Sequence, residues 1–336
     1  MDACSVDIFG RLNFFLSDCL ESGMEMTEII EFLLTSDIGE RRSQLFAASV
    51  RWTIERPVAG RRCHVITHKM GFILSKIAFV PPRNKSILSA VAVFCKTTSG
   101  VYIPLVHYDY PGAAYTLMFS HGNACDLQQA DGFLLHLRQV FRCSVVGYDY
   151  IGYGHSYQIG SVAGSRTEPP APSEDGCYEA IDAVYHYVSE TLRIPVDRQI
   201  WLGESIGSGP TVDLVSRLAQ LEKRVGAMIL VSPFWSTTRI VSSVLPWIVD
   251  MFANGAKIGN VEAPVLIVHG ERDELILPEH SRWLAAECVD AQLELIVGAT
   301  HNTVFLTPQT FETVGDFIDA LPHNWRASIY GLPERE

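Results

Sequence analysis

The sequence predicts an α/β fold, a mostly parallel eight-stranded sheet with helices on both faces. Two observations predict it. From about residue 86 onward, short apolar runs alternate with helix-period stripes, the pattern of a parallel sheet reached by crossover helices. The first two runs have no helix between them, which predicts an antiparallel hairpin at one edge.

The apolar runs read as strands are Ile87–Phe94, Val101–Tyr108, Thr116–Phe119, Ser144–Tyr148, Gln199–Gly203, Ala227–Val231, Val265–His269 and Leu293–Val297. From the third strand onward, amphipathic stripes lie between them. Leu127, Ala130, Leu134, Leu137 and Val140 form one, and Ile181, Val184, Tyr185, Val188 and Leu192 a second. Leu214, Val215, Leu218 and Leu221 make a third, and Phe311, Val314, Phe317 and Leu321 close the domain.

This main domain is expected over 86–321, between a helical extension over 1–80 and a C-terminal tail over 322–336. Residues 159–175 are rich in Pro, Gly and Ser without periodicity and read as a flexible surface insertion. Residues 236–262 exceed an ordinary loop and carry Val244, Leu245, Trp247, Ile248 and Phe252. They read either as a small lid or as a packed crossover helix. In the extension, Asp7–Leu20 and Thr27–Leu34 are amphipathic. Residues 61–80 mix Arg61, Arg62, Lys69 and Lys76 with Met70, Phe72, Ile73, Leu74, Ile77 and Phe79, a composition suited to a membrane interface or to packing on the domain body.

Composition narrows the classes of function. A net charge of -12 leaves no basic surplus for phosphates, which argues against a nucleic-acid partner. The eight cysteines are scattered without metal-ligand spacing and read as reduced thiols. No basic and apolar leader opens the chain, and no stretch approaches roughly 18 uninterrupted apolar residues. The expected location is intracellular, cytoplasmic or peripherally membrane-associated.

Gly203-Glu204-Ser205-Ile206-Gly207 matches the G-x-S-x-G nucleophile elbow, with a strand running in and a helix from Ile206 to Leu221 running out. The pattern alone is weak. Its placement makes it strong: the glycines let strand and helix pack closely around a strained turn. A serine hydroxyl needs a base, and in this arrangement the acid and then the histidine follow in loops after later strands. Asp273 follows the strand ending at His269, and His301 follows the strand ending at Val297. Glu271, Glu274 and Asp250 are rival acids with poorer positions, while His121 and His269 read as loop-ordering residues. An oxyanion needs donors. The backbone N–H of Ile206 is one candidate, and the loop after the third strand supplies the second, Asn123 or alternatively Ala124. A serine at 205 points to acyl transfer. No P-loop or HExxH occurs, Gly152-Tyr153-Gly154 is too short for a dinucleotide fingerprint, and no cofactor is implied. The plan is that of the α/β-hydrolase fold.

At these residues the chain resembles the α/β-hydrolase domain-containing protein 17 family, serine hydrolases that act as protein depalmitoylases. The resemblance runs from about Ser75 to Leu321 through Ser75–Pro82, Phe119–Leu127, Tyr148–Gly154, Gly203–Leu214 and Val265–Glu274. It implies an acylated protein or a small acyl ester as substrate. Two positions depart from the family: Cys63 alone stands near the place of its palmitoylated cysteine cluster, and Thr300 replaces a glycine before His301. An apolar groove under Trp247 and Phe252 would suit a fatty acyl chain. Two other readings stay open. One is a prolyl-oligopeptidase-type serine peptidase, whose gating propeller of at least four ~40-residue blades exceeds the N-terminal extension. The other is a non-catalytic hydrolase fold serving as a binding module.

Overall fold

Every residue of Thr116–Ser120, Ser144–Tyr148 and Ala227–Val231 is buried. Successive strand side chains point to opposite faces, so such strands lie in a sheet covered on both sides. The computed structural model describes residues 79–82, 88–160, 165–241 and 250–322. Its strands are β1 (Val93–Lys96), β2 (Tyr102–Tyr108), β3 (Thr116–Ser120), β4 (Ser144–Tyr148), β5 (Gln158–Ile159), β6 (Arg166–Thr167), β7 (Gln199–Glu204), β8 (Ala227–Val231), β9 (Val265–Gly270) and β10 (Ala291–Ile296). Eight of them form one sheet in the order β1-β2-β4-β3-β7-β8-β9-β10. The pairs β1–β2 and β2–β4 are antiparallel and all the others parallel.

The helices are α1 (Leu127–Phe141), α2 (Glu174–His186), α3 (Ser208–Gln220), α4 (Thr237–Val241), α5 (Asn254–Lys257), α6 (Glu279–Glu287) and α7 (Pro308–Ala320). Side-chain caps fix where the longer ones begin. Asp126 accepts the Gln129 N–H at the start of α1, Ser173 accepts that of Gly176 at α2, and Thr307 accepts that of Thr310 at α7. Leu134 and Leu137 of α1 and Val314 and Ile318 of α7 share one core with Leu117, Phe119, Leu202, Ile229 and Leu266 of the sheet. Met118, Trp201 and Met228 point to the opposite face, where α2 and α3 pack together and Tyr185 meets Trp201.

The chain divides into two compact units. The larger comprises Phe79–Trp235 and Phe252–Glu336 and holds the sheet. The smaller comprises Met1–Ala78 and Ser236–Met251, of which 236–241, Asp250 and Met251 are described. Within it, the Thr237 hydroxyl and N–H both donate to the Met251 carbonyl, at 2.9 and 3.0 Å, closing the two ends of the segment on each other. The expectations for the extension before Phe79, for Trp247 and for the tail after Pro322 lie outside the described residues.

Several sequence expectations need correction. β1 begins at Val93: residues 88–92 of the expected strand are not extended, because the chain turns at Ser89–Ala92, and the tight turn Thr97–Gly100 sets the pairing of Lys96 with Tyr102, while Ile87 lies outside the described residues. Val140 and Leu221 are exposed, and Phe141 instead completes the buried stripe of α1. The stretch 159–175 is not without structure. Its early part joins the β5–β6 ribbon, where Arg166 lies over the Tyr157 ring, and Glu174 and Asp175 open α2. Of 236–262, residues from Phe252 onward belong to the larger unit as α5 and a following 3-10 turn.

Leu134 fills the space over Gly147 of β4, where an added Cβ would lie 2.3 Å from Leu134 Cδ1. Leu134→Ala is therefore expected to cost about 2–5 kcal/mol, and Gly147→Ala to be destabilising by overpacking. In urea unfolding, Gly147→Ala should cost less in the Leu134→Ala background than in wild type, because the methyl then enters the vacated space. Additive costs would contradict this packing.

Candidate active site

β7 runs through the middle of the sheet and ends at Glu204, after which Ser205 adopts a left-handed backbone with φ of 51°. For a residue other than glycine this costs of order 1–3 kcal/mol and persists only where the surroundings enforce it. Here they do. A Cβ on Gly207 would lie 2.1 Å from the Ser120 carbonyl oxygen, and one on Gly203 would lie 2.6 Å from the Gly207 carbonyl oxygen. The elbow thus packs backbone to backbone against the end of β3, which the two glycines alone permit. The Ser208 hydroxyl donates to the Ser205 carbonyl at 2.7 Å and α3 begins.

Two later strands deliver the partners. His301 Nε2 lies 3.0 Å from Ser205 Oγ, and His301 Nδ1 lies 2.7 Å from Asp273 Oδ2. A carboxylate oxygen only accepts, so the ring proton sits on Nδ1 and the Nε2 lone pair faces the hydroxyl. Asp273 itself is buried and fully engaged. Its Oδ1 accepts the N–H groups of Leu275 and Ile276 at 3.0 and 2.8 Å, and His269 Nε2 stands 3.2 Å from Oδ2. His269 is held in turn by Ser281 at 2.6 Å and the Ile276 carbonyl at 2.8 Å. Burial by itself raises the Asp273 carboxyl. Hydrogen bonds from His269 and His301, the attraction of His301 and the Ile276 N–H outweigh it, holding the group well below the usual carboxylate range. The rivals Glu271, Glu274 and Asp250 are exposed.

The loop after β3 lies against the elbow, since Ser120 pairs with Gly203 in the ladder. Asn123 is fixed there as an acceptor. Its Oδ1 receives the Val80 N–H at 2.9 Å, the Ala124 N–H at 3.1 Å and the Tyr153 hydroxyl at 2.8 Å. Its side-chain oxygen is thus committed to these three donors. Ile206 follows Ser205 at the start of a helical run, where N–H groups lack an intrahelical acceptor. Phe252 is fully buried, its ring edge-on to Phe79, Tyr178 and Phe234, and its N–H donates to Glu174 at 2.7 Å. Its ring packs over Gly209 of α3.

Sequence reasoning missed the supports of the β3 loop. Tyr150 donates to the His121 carbonyl at 2.7 Å, and buried Asp149 accepts the Leu127 N–H at 2.6 Å with His121 Nε2 3.5 Å away. The run Tyr148–Gly154 was their only signal. Among the described residues no group of three or more His, Cys, Asp or Glu is placed to hold a metal ion, and no helix is long and apolar enough to cross a membrane.

Comparison with solved structures places this architecture. An esterase from Pyrococcus furiosus matches with a TM-score of 0.56 at 15% identity, over 72% of this chain and 97% of its own. A hydrolase from Pseudomonas aeruginosa matches with a TM-score of 0.50 at 18% identity, over 69% and 100%. No family model matches the chain. Sequence relatives are nearer. The chain is 36% identical over 236 residues to α/β-hydrolase domain-containing protein 17C of Xenopus laevis, covering 69% of this chain and 70% of that protein. It is 36% identical over 211 residues to the human protein 17C, covering 62% of this chain and 59% of that protein. Against protein 17B of Xenopus laevis it is 37% identical, covering 62% of this chain and 67% of that protein. Fold and relatives together make the chain an α/β hydrolase. It belongs to the α/β-hydrolase domain-containing protein 17 family.

The lowered Asp273 sets a sign for stability. A carboxyl depressed on folding contributes stability above its unfolded value of about 3.9 and loses it as pH falls through the folded value. Asp273→Asn is expected to lose less stability than wild type as pH drops from about 5 to 2. Urea midpoints across that range read this out, and parallel curves would show that Asp273 carries no such linkage.

Proposed function

We propose that the chain is a serine hydrolase that cleaves carboxylic esters or thioesters through an acyl-enzyme on Ser205, with S-acylated proteins as its substrate class. One observation carries the reading: the continuous chain from Asp273 through His301 to Ser205, at 2.7 and 3.0 Å. Ser205 Oγ attacks the acyl carbonyl carbon while His301 Nε2 takes its proton, and Asp273 stabilises the imidazolium that results. The tetrahedral oxyanion is met by the backbone N–H groups of Ile206 and Asn123. Collapse breaks the bond to the thiol or alcohol, which leaves with the proton from His301. Water then gives a proton to His301, attacks the acyl group and releases a carboxylic acid, returning the proton to Ser205.

Thiolate and alkoxide groups leave with less assistance than amines, which favours esters and thioesters over peptides. Membership of the family supports S-acylated proteins within that class.

A fluorophosphonate probe is expected to label wild type and not Ser205→Ala, both folded by melting temperature. Labelling of both, or of neither, would end the serine-nucleophile reading. Asp273→Asn removes the group that selects the His301 tautomer, and kcat should fall about 10³–10⁴-fold. On matched thioester, ester and peptide substrates, a preference for the peptide would overturn the substrate class.

A further inference from the structure

The geometry points to Glu204, the residue before Ser205, as a positioning residue: its carboxyl accepts the Gly122 N–H and so sets the spacing between the Asn123 and Ile206 N–H groups. The inference rests on the serine-hydrolase reading above and concerns how its oxyanion site is held together.

The need for such a link follows from the sheet. β3 and β7 are paired in parallel as far as Ser120 and Gly203. One residue later the ladder stops, because β7 gives way to the left-handed Ser205 and can no longer offer a backbone acceptor in register. Two segments that must present N–H groups to one oxygen atom therefore leave the ladder without further backbone pairing. The Glu204 side chain spans this break. It receives the Gly122 N–H, and an added Cβ on Gly122 would lie 3.4 Å from Glu204 Cδ and 3.6 Å from Oε2. Gly122 precedes Asn123 and Glu204 lies two residues before Ile206, so the bond links the segments that carry the two candidate donors.

The other polar groups of the loop are held from elsewhere. The Gly122 carbonyl faces His121 Nδ1 at 2.8 Å, the His121 carbonyl receives Tyr150, and Asn123 Oδ1 receives Val80, Ala124 and Tyr153. None of these ties the loop to the strand that carries the nucleophile. Glu204 does. It does not compete for the role of acid, since Asp273 and Ser205 already face both nitrogens of His301.

Glu204 is half-buried, and desolvation pushes its carboxyl up despite the opposing pull of His301, His121 and the Gly122 N–H. Cys125 and Tyr150, which also face it, are both raised by burial and, in smaller part, by its charge. An amide oxygen accepts an N–H as a carboxylate oxygen does.

The test is steady-state hydrolysis of a p-nitrophenyl ester by wild type, Glu204→Ala, Glu204→Gln and Ser205→Ala, with melting temperatures. Glu204→Ala should lower kcat about 10–100-fold with KM within about twofold, since an oxyanion contact forms only in the transition state. Glu204→Gln keeps the acceptor and should retain kcat within about threefold. If the alanine variant is poorly folded, Glu204→Met, which keeps length without an oxygen, takes its place and should show the same loss. A folded Glu204→Ala or Glu204→Met with kcat near wild type overturns the inference, as does a Gln variant impaired as much as the Ala variant. Wild-type turnover that survives Ser205→Ala would instead remove the serine-hydrolase reading, and this inference with it.

Discussion

A serine held in a left-handed conformation at the end of a buried central strand is the constraint on which the rest of the site depends. The conformation is unfavourable for a residue with a Cβ. It survives because Gly207 sits against the Ser120 carbonyl so closely that the chain has no room to relax. The same contact brings the end of β3 beside the end of β7, and so puts a loop of candidate donors next to the hydroxyl. Sheet pairing then supplies the remaining partners: β8 and β9 extend the parallel order, and the loops after β9 and β10 open on the same carboxyl edge.

Two carboxyl groups stand near His301 and the environment drives them in opposite directions. Asp273 is buried and Glu204 half-buried, and both feel the imidazole. The difference lies in how many donors each receives. Asp273 is met by two ring N–H groups and by the N–H groups of Leu275 and Ile276, enough to outweigh desolvation and keep it charged. Glu204 receives the Gly122 N–H, and desolvation prevails. The carboxylate held behind His301 by these donors is the one placed to stabilise an imidazolium.

Much of this was legible in the sequence because the informative pattern is local. The five-residue buried strands and the 3.6-period stripes announce themselves within a short window, as do the elbow and the strand-exit positions of Asp273 and His301. What was not legible depends on register or on distant partners. The start of β1 is set by a turn at Ser89 and by pairing with β2, so an apolar run from Ile87 misleads. Val140 and Phe141 fit a helical stripe equally well by spacing, and only the direction of α1 over the sheet decides between them. Phe252 reads as a groove residue in a list of apolar side chains, yet its neighbours Phe79, Tyr178 and Phe234 come from three remote segments.

Asn123 shows the same limit from the side of chemistry. In sequence it is a polar residue after a glycine, suited to donate to an oxyanion. In the fold its side-chain oxygen is the meeting point of Val80, Ala124 and Tyr153, three donors on an atom with two lone pairs. An acceptor so occupied has no freedom to turn its amide toward a substrate without releasing several bonds at once. Its value is rigidity: it ties the Phe79–Pro82 segment and the Tyr148–Gly154 turn to the loop that follows β3. Both segments brace the loop that follows β3, and preorganisation of that kind is what a transition-state site of the proposed type requires.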